Sequence, residues 1–201
     1  MKKTTMLLFA SIALFAASCG GDTNEEQAVI EEVTFTADPE ASVINWRGGE
    51  NEQHFHVGTI KLKDGSITMK GDELVNGNFT VDMSTINSST EGYPAEKLAY
   101  LNNHLKDTAF FFVSDFPEVT VDLGTYNDGK VNATFNILGS EISQEVPVTI
   151  SSDEKEASIK GKFTLDISKS KIQYLSKVNE ETGMPALKPE LEFDIDIKLK
   201  K

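Results

Sequence analysis

The sequence predicts an all-β domain, an antiparallel sheet closed or folded upon itself, with a single amphipathic helix. Three observations point there. Most of the chain alternates apolar and polar residues with the two-residue period of a strand. Turn-forming dipeptides, Asp64-Gly65, Asn76-Gly77 and Asp128-Gly129, interrupt the alternation. Only one segment shows helical spacing.

The N-terminus precedes all of this. Lys2 and Lys3 open the chain, and Met6 to Phe15 forms an apolar run. That run is too short to cross a bilayer as a mature helix and reads as the core of a signal peptide. It ends in Ala16-Ala17-Ser18-Cys19. Small residues before a cysteine are what a lipoprotein signal peptidase accepts. Residues 1–18 are therefore read as a signal peptide, with Cys19 as the acylated first residue of a bacterial lipoprotein. Several acyl chains anchor firmly, because each buried methylene contributes about 0.8 kcal/mol. Cys19 is the single cysteine of the chain. An exported protein's leftover cysteine needs a purpose, and acylation supplies one. The expected location is the bacterial cell envelope, on its periplasmic or outer-membrane face, with the membrane as partner through this anchor.

Residues 19–37 are polar, acidic and poor in large apolar side chains. They read as a flexible tether, with the folded domain expected over 38–201. With its one cysteine lipidated, that domain has no disulfide and rests on its core alone. The formal charge of the whole chain is −13. Loss of Lys2 and Lys3 takes the mature chain to −15. Nucleic-acid phosphates and a polybasic contact with anionic lipid are both disfavoured by that balance. A solvated acidic surface accounts for it.

The strands follow in order. Phe79, Val81 and Met83 alternate with Thr80, Asp82 and Ser84. Val131, Ala133, Phe135 and Ile137 alternate with polar neighbours, and Val146, Val148 and Ile150 come next. Phe163, Leu165 and Ile167 continue the pattern. In the cleanest run, Leu191, Phe193, Ile195, Ile197 and Leu199 face one way, and Glu192, Asp194, Asp196, Lys198 and Lys200 the other. Such strands have one face in an apolar interior and one in water. Lys63-Asp64-Gly65-Ser66 reads as a hairpin turn, Val75-Asn76-Gly77 as a turn or bulge, and Asn127-Asp128-Gly129-Lys130 as a third turn. Around Gly58 the apolar phase flips, from Phe55 and Val57 to Ile60 and Leu62. A bulge or a close backbone approach is expected there, and it could aim His56 inward. The helix spans Pro94 to Lys106, with Ala95, Leu98, Leu101 and Leu105 on one face. Glu96 and Lys106 suit its positive and negative ends.

Candidate chemistry is sparse. His54 and His56 stand two apart on a strand, and His104 ends the helix. They form a conceivable metal set, but no carboxylate accompanies them at a diagnostic spacing. No nucleophile elbow and no glycine-rich phosphate loop occurs. The sequence therefore gives no reason to expect an enzyme, a metal or a cofactor. The densest apolar feature is Phe110-Phe111-Phe112 with Phe116, four of the chain's 12 phenylalanines. It reads either as a plug beneath the helix or as the lining of a pocket.

These pieces together resemble the YceI-like family of exported bacterial proteins. Ser42 to Gly48 resembles its first strand, and His56-Val57-Gly58-Thr59 its His-x-Gly strand. Phe79 to Ser84 resembles its central strand. His104-Leu105-Lys106 with Phe110-Phe111 and Phe116-Pro117 resembles its most specific stretch, and Asn132 to Gly139 with Val146 to Ile150 its later hairpin. Ala109 and Phe112 replace the acidic residues usual around the Phe-Phe pair, and Lys169-Ser170-Lys171 stands where an arginine-serine-aspartate run is common. The resemblance implies a lipocalin-like barrel of about eight strands with a helix at one end. It also implies an internal channel for a polyisoprenoid or fatty-acyl amphiphile. Phe55, Val57, Phe79, Phe110, Phe111, Phe135, Phe163 and Phe193 are the expected lining. A solid barrel acting as a structural or interaction module is the alternative, and a His-dependent metalloprotein using His54, His56 and His104 is the third reading.

Overall fold

The structure, a computed structural model, describes residues 30–178, 180, 183 and 187–201. The signal peptide and Cys19 lie outside the described residues. Ten strands form one sheet. They are β1 (Glu32–Ala37), β2 (Val43–Gly49), β3 (Phe55–Lys70), β4 (Glu73–Ser88), β5 (Glu118–Asn127), β6 (Lys130–Ile137), β7 (Ser140–Pro147), β8 (Thr149–Ser152), β9 (Glu156–Asp166) and β10 (Glu190–Lys200). The helix α1 (Ala95–Lys106) crosses from β4 to β5. Strand order is β7-β6-β5-β4-β3-β1-β10-β9-β8, with β2 inserted between β3 and β10 beyond the end of β1. Every pairing is antiparallel.

The sheet closes into a barrel at β7–β9, where the chain changes partner. Residues 140–147 pair with β6, and 149–152 pair with β9. Val148 marks the corner, its N–H donating to Gly129 O at 2.9 Å. The corner presses on Gly161, where a Cβ would meet Pro147 O at 2.7 Å. Beyond it the β7 and β9 backbones diverge, and Gln144 bridges them. Its Nε2 donates to Thr164 O at 2.6 Å, and its Oε1 accepts from Asp166 N–H at 3.3 Å. A side-chain amide thus spans the seam where β7 and residues 161–166 of β9 have no backbone pairing to each other.

Alternation sorts the faces as expected on β4, β6, β9 and β10. Three expectations change. The domain begins at Glu32 rather than Asp38, because β1 pairs with β3 and β10. Its outer residues Glu32, Thr34 and Thr36 gave it the polarity of a tether, while Phe35 is fully buried. Asp64-Gly65 is no turn. The 16-residue β3 runs through it with a bulge against β4 between Leu62 and Asp64, and the hairpin closes at Gly71-Asp72. Helix α1 starts at Ala95, with Pro94 in extended geometry just before it instead of in its first turn. The turn at Asp128-Gly129 is present, both residues having positive φ, as a two-residue hairpin requires. Asn76-Gly77 sits beside a bulge between Thr68 and Met69.

One end of the barrel is solid. Phe35, Ile67 and Leu199 are at most 2% exposed there, with Met69 and Leu74 against them. At the other end α1 lies over the opening. Asn102 fastens it, accepting from Ser88 N–H at 2.7 Å and donating to Asn87 Oδ1 at 2.9 Å.

Candidate functional site

Above the solid end the barrel is hollow. A cavity of about 820 Å³ is lined by inner faces of β2 to β7, β9 and β10 and by α1, within the ~300–1,000 Å³ range of small-molecule sites. On β10 its wall runs from Leu191 to Ile197, about 20 Å at ~3.3 Å per residue. It is therefore long as well as wide. Inward residues such as Val81, Val119, Val121, Leu123, Phe163, Phe193 and Ile195 are only half-buried. In a filled barrel they would touch each other and lose that exposure.

Seven of the eight expected lining residues border this cavity: Phe55, Phe79, Phe110, Phe111, Phe135, Phe163 and Phe193. Phe135, Phe163 and Phe193 form an aromatic band, with successive ring centroids 6.4 and 5.5 Å apart. Phe110 stacks on Tyr174 at 4.5 Å and meets His104 edge-on at 5.0 Å. The phenylalanine cluster divides its labour. Phe112 adopts a positive φ of 43° and turns away to Phe116, while Phe110 and Phe111 face the cavity.

Val57 is the exception. It lies on the outside of β3 in a shallow depression with Arg47 and Asp194. The inner phase of β3 is Gly58, Ile60 and Leu62, with Gly58 opposite Trp46. A Cβ on Gly58 would stand 1.9 Å from Asn87 O and 2.7 Å from the Trp46 ring. Both the close approach and a neighbouring bulge, between Thr59 and Lys61, are present. Phe55 reaches the cavity only at its rim, under the Arg47 guanidinium at 4.0 Å from its ring centroid. That guanidinium is held by Glu52 at 2.8 Å and Glu192 at 2.5 Å.

The polar lining gathers at the α1 end. His54 follows Asn51, whose Oδ1 accepts from His54 N–H at 2.9 Å. His56 points inward. Its Nδ1 is 3.3 Å from Thr90 Oγ1, and its ring meets Tyr93 edge-on at 5.0 Å. Burial pushes the His56 imidazole below its usual pKa and favours the neutral ring. Thr90 Oγ1 also accepts from Val57 N–H at 3.1 Å. His104 Nδ1 lies 2.6 Å from Asp107 Oδ2. Burial opposes ionisation of Asp107, but hydrogen bonds from His104 and from Ala109 N–H prevail and hold its carboxyl below the usual range. The three histidines border one cavity, yet among the described residues no three His, Cys, Asp or Glu side chains form a group able to hold a metal.

The sequence reading passed over Trp46, Tyr93, Thr90, Tyr174 and the β5 row Val119, Val121 and Leu123 as lining. The β5 row was visible as alternation with Thr120 and Asp122. Thr90, Tyr93 and Tyr174 come from connecting segments with no period to mark them.

The fold has known counterparts. A polyisoprenoid-binding domain from Saccharophagus degradans, implicated in plant cell wall breakdown, superposes with a TM-score of 0.60 at 10% identity, covering 83% of this chain and 97% of that one. Burkholderia cenocepacia BcnA superposes with a TM-score of 0.61 at 14% identity, covering 81% and 98%. At these identities the likeness establishes the fold. No curated protein sequence matches the chain. Residues 35–199 match the YceI-like domain, a span that includes the cavity walls from β2 to β10, and the chain belongs to that family.

Proposed function

We propose that this protein is an envelope lipoprotein that holds a polyisoprenoid or similar long-chain amphiphile inside its barrel. The observation that carries the reading is the long apolar cavity of about 820 Å³. Filled with solvent at ~30 Å³ per molecule, it would hold on the order of 25 waters. Its walls of Phe, Val, Ile and Leu offer most of them no partner. An apolar chain displaces that water at about 25 cal/mol per Å² of surface buried, less the cost of ordering the chain. The S. degradans domain, described as polyisoprenoid-binding, supports the same class of ligand. The polar rim suits the head group of an amphiphile. This is binding, with no chemistry on the ligand. A solid-barrel interaction module is the weaker reading, because inward residues such as Val121, Phe163, Phe193 and Ile195 remain only half-buried.

Trp46 is the only tryptophan and borders the cavity, so its fluorescence reports occupancy directly. Titration with a long-chain prenol is expected to shift its emission and to saturate near one ligand per chain. An unchanged spectrum at saturating prenol would remove the reading. The anchor is tested separately. Cys19→Ser is expected to abolish acylation and free the protein from membranes, and labelled palmitate still entering the variant would contradict it.

A further inference from the structure

We infer that the cavity mouth selects an uncharged, oxygen-bearing head group, a hydroxyl or carbonyl, over a phosphate or diphosphate; this rests on the amphiphile-binding reading above. The first observation is the charge of the mouth. Its polar lining is Glu50, Gln53, His54, His56, Thr90 and His104, with the tyrosines 93 and 174. No Lys or Arg is among the described lining residues, and Glu50 contributes a carboxylate.

The second observation is where the nearby cations go. Arg47, over the rim residue Phe55, is held by two carboxylates, Glu52 and Glu192. Lys97 stands 6.0 Å from the Tyr93 ring centroid on an exposed part of α1 and does not border the cavity. A proton on His104 would be balanced by Asp107 at 2.6 Å. Lys188, whose backbone N–H donates to Gly49 O at 2.9 Å, lies next to the mouth without being among its lining residues. A diphosphate entering here would lose hydration and meet no Lys or Arg among the described lining residues, which is the costly way to bury charge.

The third observation is the hydrogen-bonding pattern. Thr90 Oγ1 accepts from Val57 N–H and touches both Ser88 Oγ, at 3.0 Å, and His56 Nδ1. Either tautomer of His56 satisfies that network, so its Nε2 is a donor in one and an acceptor in the other. A hydroxyl answers both, and a carbonyl answers the donor form. A phosphate oxygen, an acceptor carrying charge, finds no Lys or Arg among the described lining residues in either.

The test is a Trp46 fluorescence titration of the purified full chain with farnesol, farnesylacetone and farnesyl diphosphate, which share one isoprenoid chain and differ at the head. The two neutral probes are expected to bind about tenfold or more tightly than the diphosphate. Gln53→Lys, which places a cation at the mouth, is expected to narrow that ratio by raising diphosphate affinity. Raised salt should shrink the gain, since a partly exposed charge is screened. Farnesyl diphosphate binding as tightly as farnesol would overturn the head-group inference and leave the amphiphile reading intact. Failure of all three probes to shift Trp46 emission would remove both.

Discussion

Phe35→Ala is expected to lower the stability of the domain by about 3–5 kcal/mol, and Phe163→Ala by less than half as much. Both remove the same atoms from an inner face of the same barrel, so the contrast isolates what surrounds them. Phe35 is 2% exposed and sits in register with Ile67, which is fully buried, at the solid end. Its loss forfeits the whole transfer free energy and opens a new void among close-packed atoms. Phe163 is half-buried and stacks on Phe193 at 5.5 Å. It borders a void that already exists, so truncation enlarges that void and removes fewer contacts. Urea unfolding at unchanged m-value reads the difference. A domain of this size shifts by about 2–4 °C per kcal/mol, so the Phe35 variant should melt about 10 °C lower. Equal losses at the two positions would mean that the upper barrel is as tightly packed as the lower.

Val121→Trp is expected to abolish ligand uptake while leaving the melting temperature nearly unchanged. Val121 is half-buried on β5, between Phe79 of β4 and Phe135 of β6 in the ladder, and its side chain borders the cavity. In a filled core the added indole would cost about 1–3 kcal/mol through overpacking. Here the cavity accepts it, and the indole gains apolar burial as it occupies space meant for ligand. Thr120→Trp, on the exposed face of the same strand, controls for the substitution itself and should bind normally. A Val121 variant that unfolds would argue for a solid barrel, and one that binds as before would place the ligand elsewhere.

What the sequence made legible is the period of its strands. Leu191 to Leu199 pointed inward as read, because β10 is paired with β9 along its whole length and never changes phase. Strand β3 was harder. Its inner face passes through Gly58, which carries no side chain because Asn87 O and Trp46 occupy the space. One apolar marker is thus missing, and Val57, on the outer face, looks like its replacement. Asp64-Gly65 misled for a related reason. The dipeptide suits a tight turn locally, but β1 on one side and β4 on the other hold the chain extended past it. The phenylalanine cluster was legible as a functional feature and not as a shape, since the positive φ at Phe112 that separates its members belongs to tertiary packing. The polar mouth drew on His54, His56 and His104, which stand out in sequence, and on Thr90 and Tyr93, which do not. Their convergence depends on where α1 is fastened by Asn102.

The central claim is that the barrel encloses an apolar chain. Native mass spectrometry of the protein purified from its own cells, without added lipid, tests it most directly. The account predicts a second species heavier by one long-chain amphiphile, removed by organic extraction, restored by an added prenol and missing from Val121→Trp. A single unliganded mass, with no adduct after incubation with prenol or fatty-acyl lipid, would contradict it.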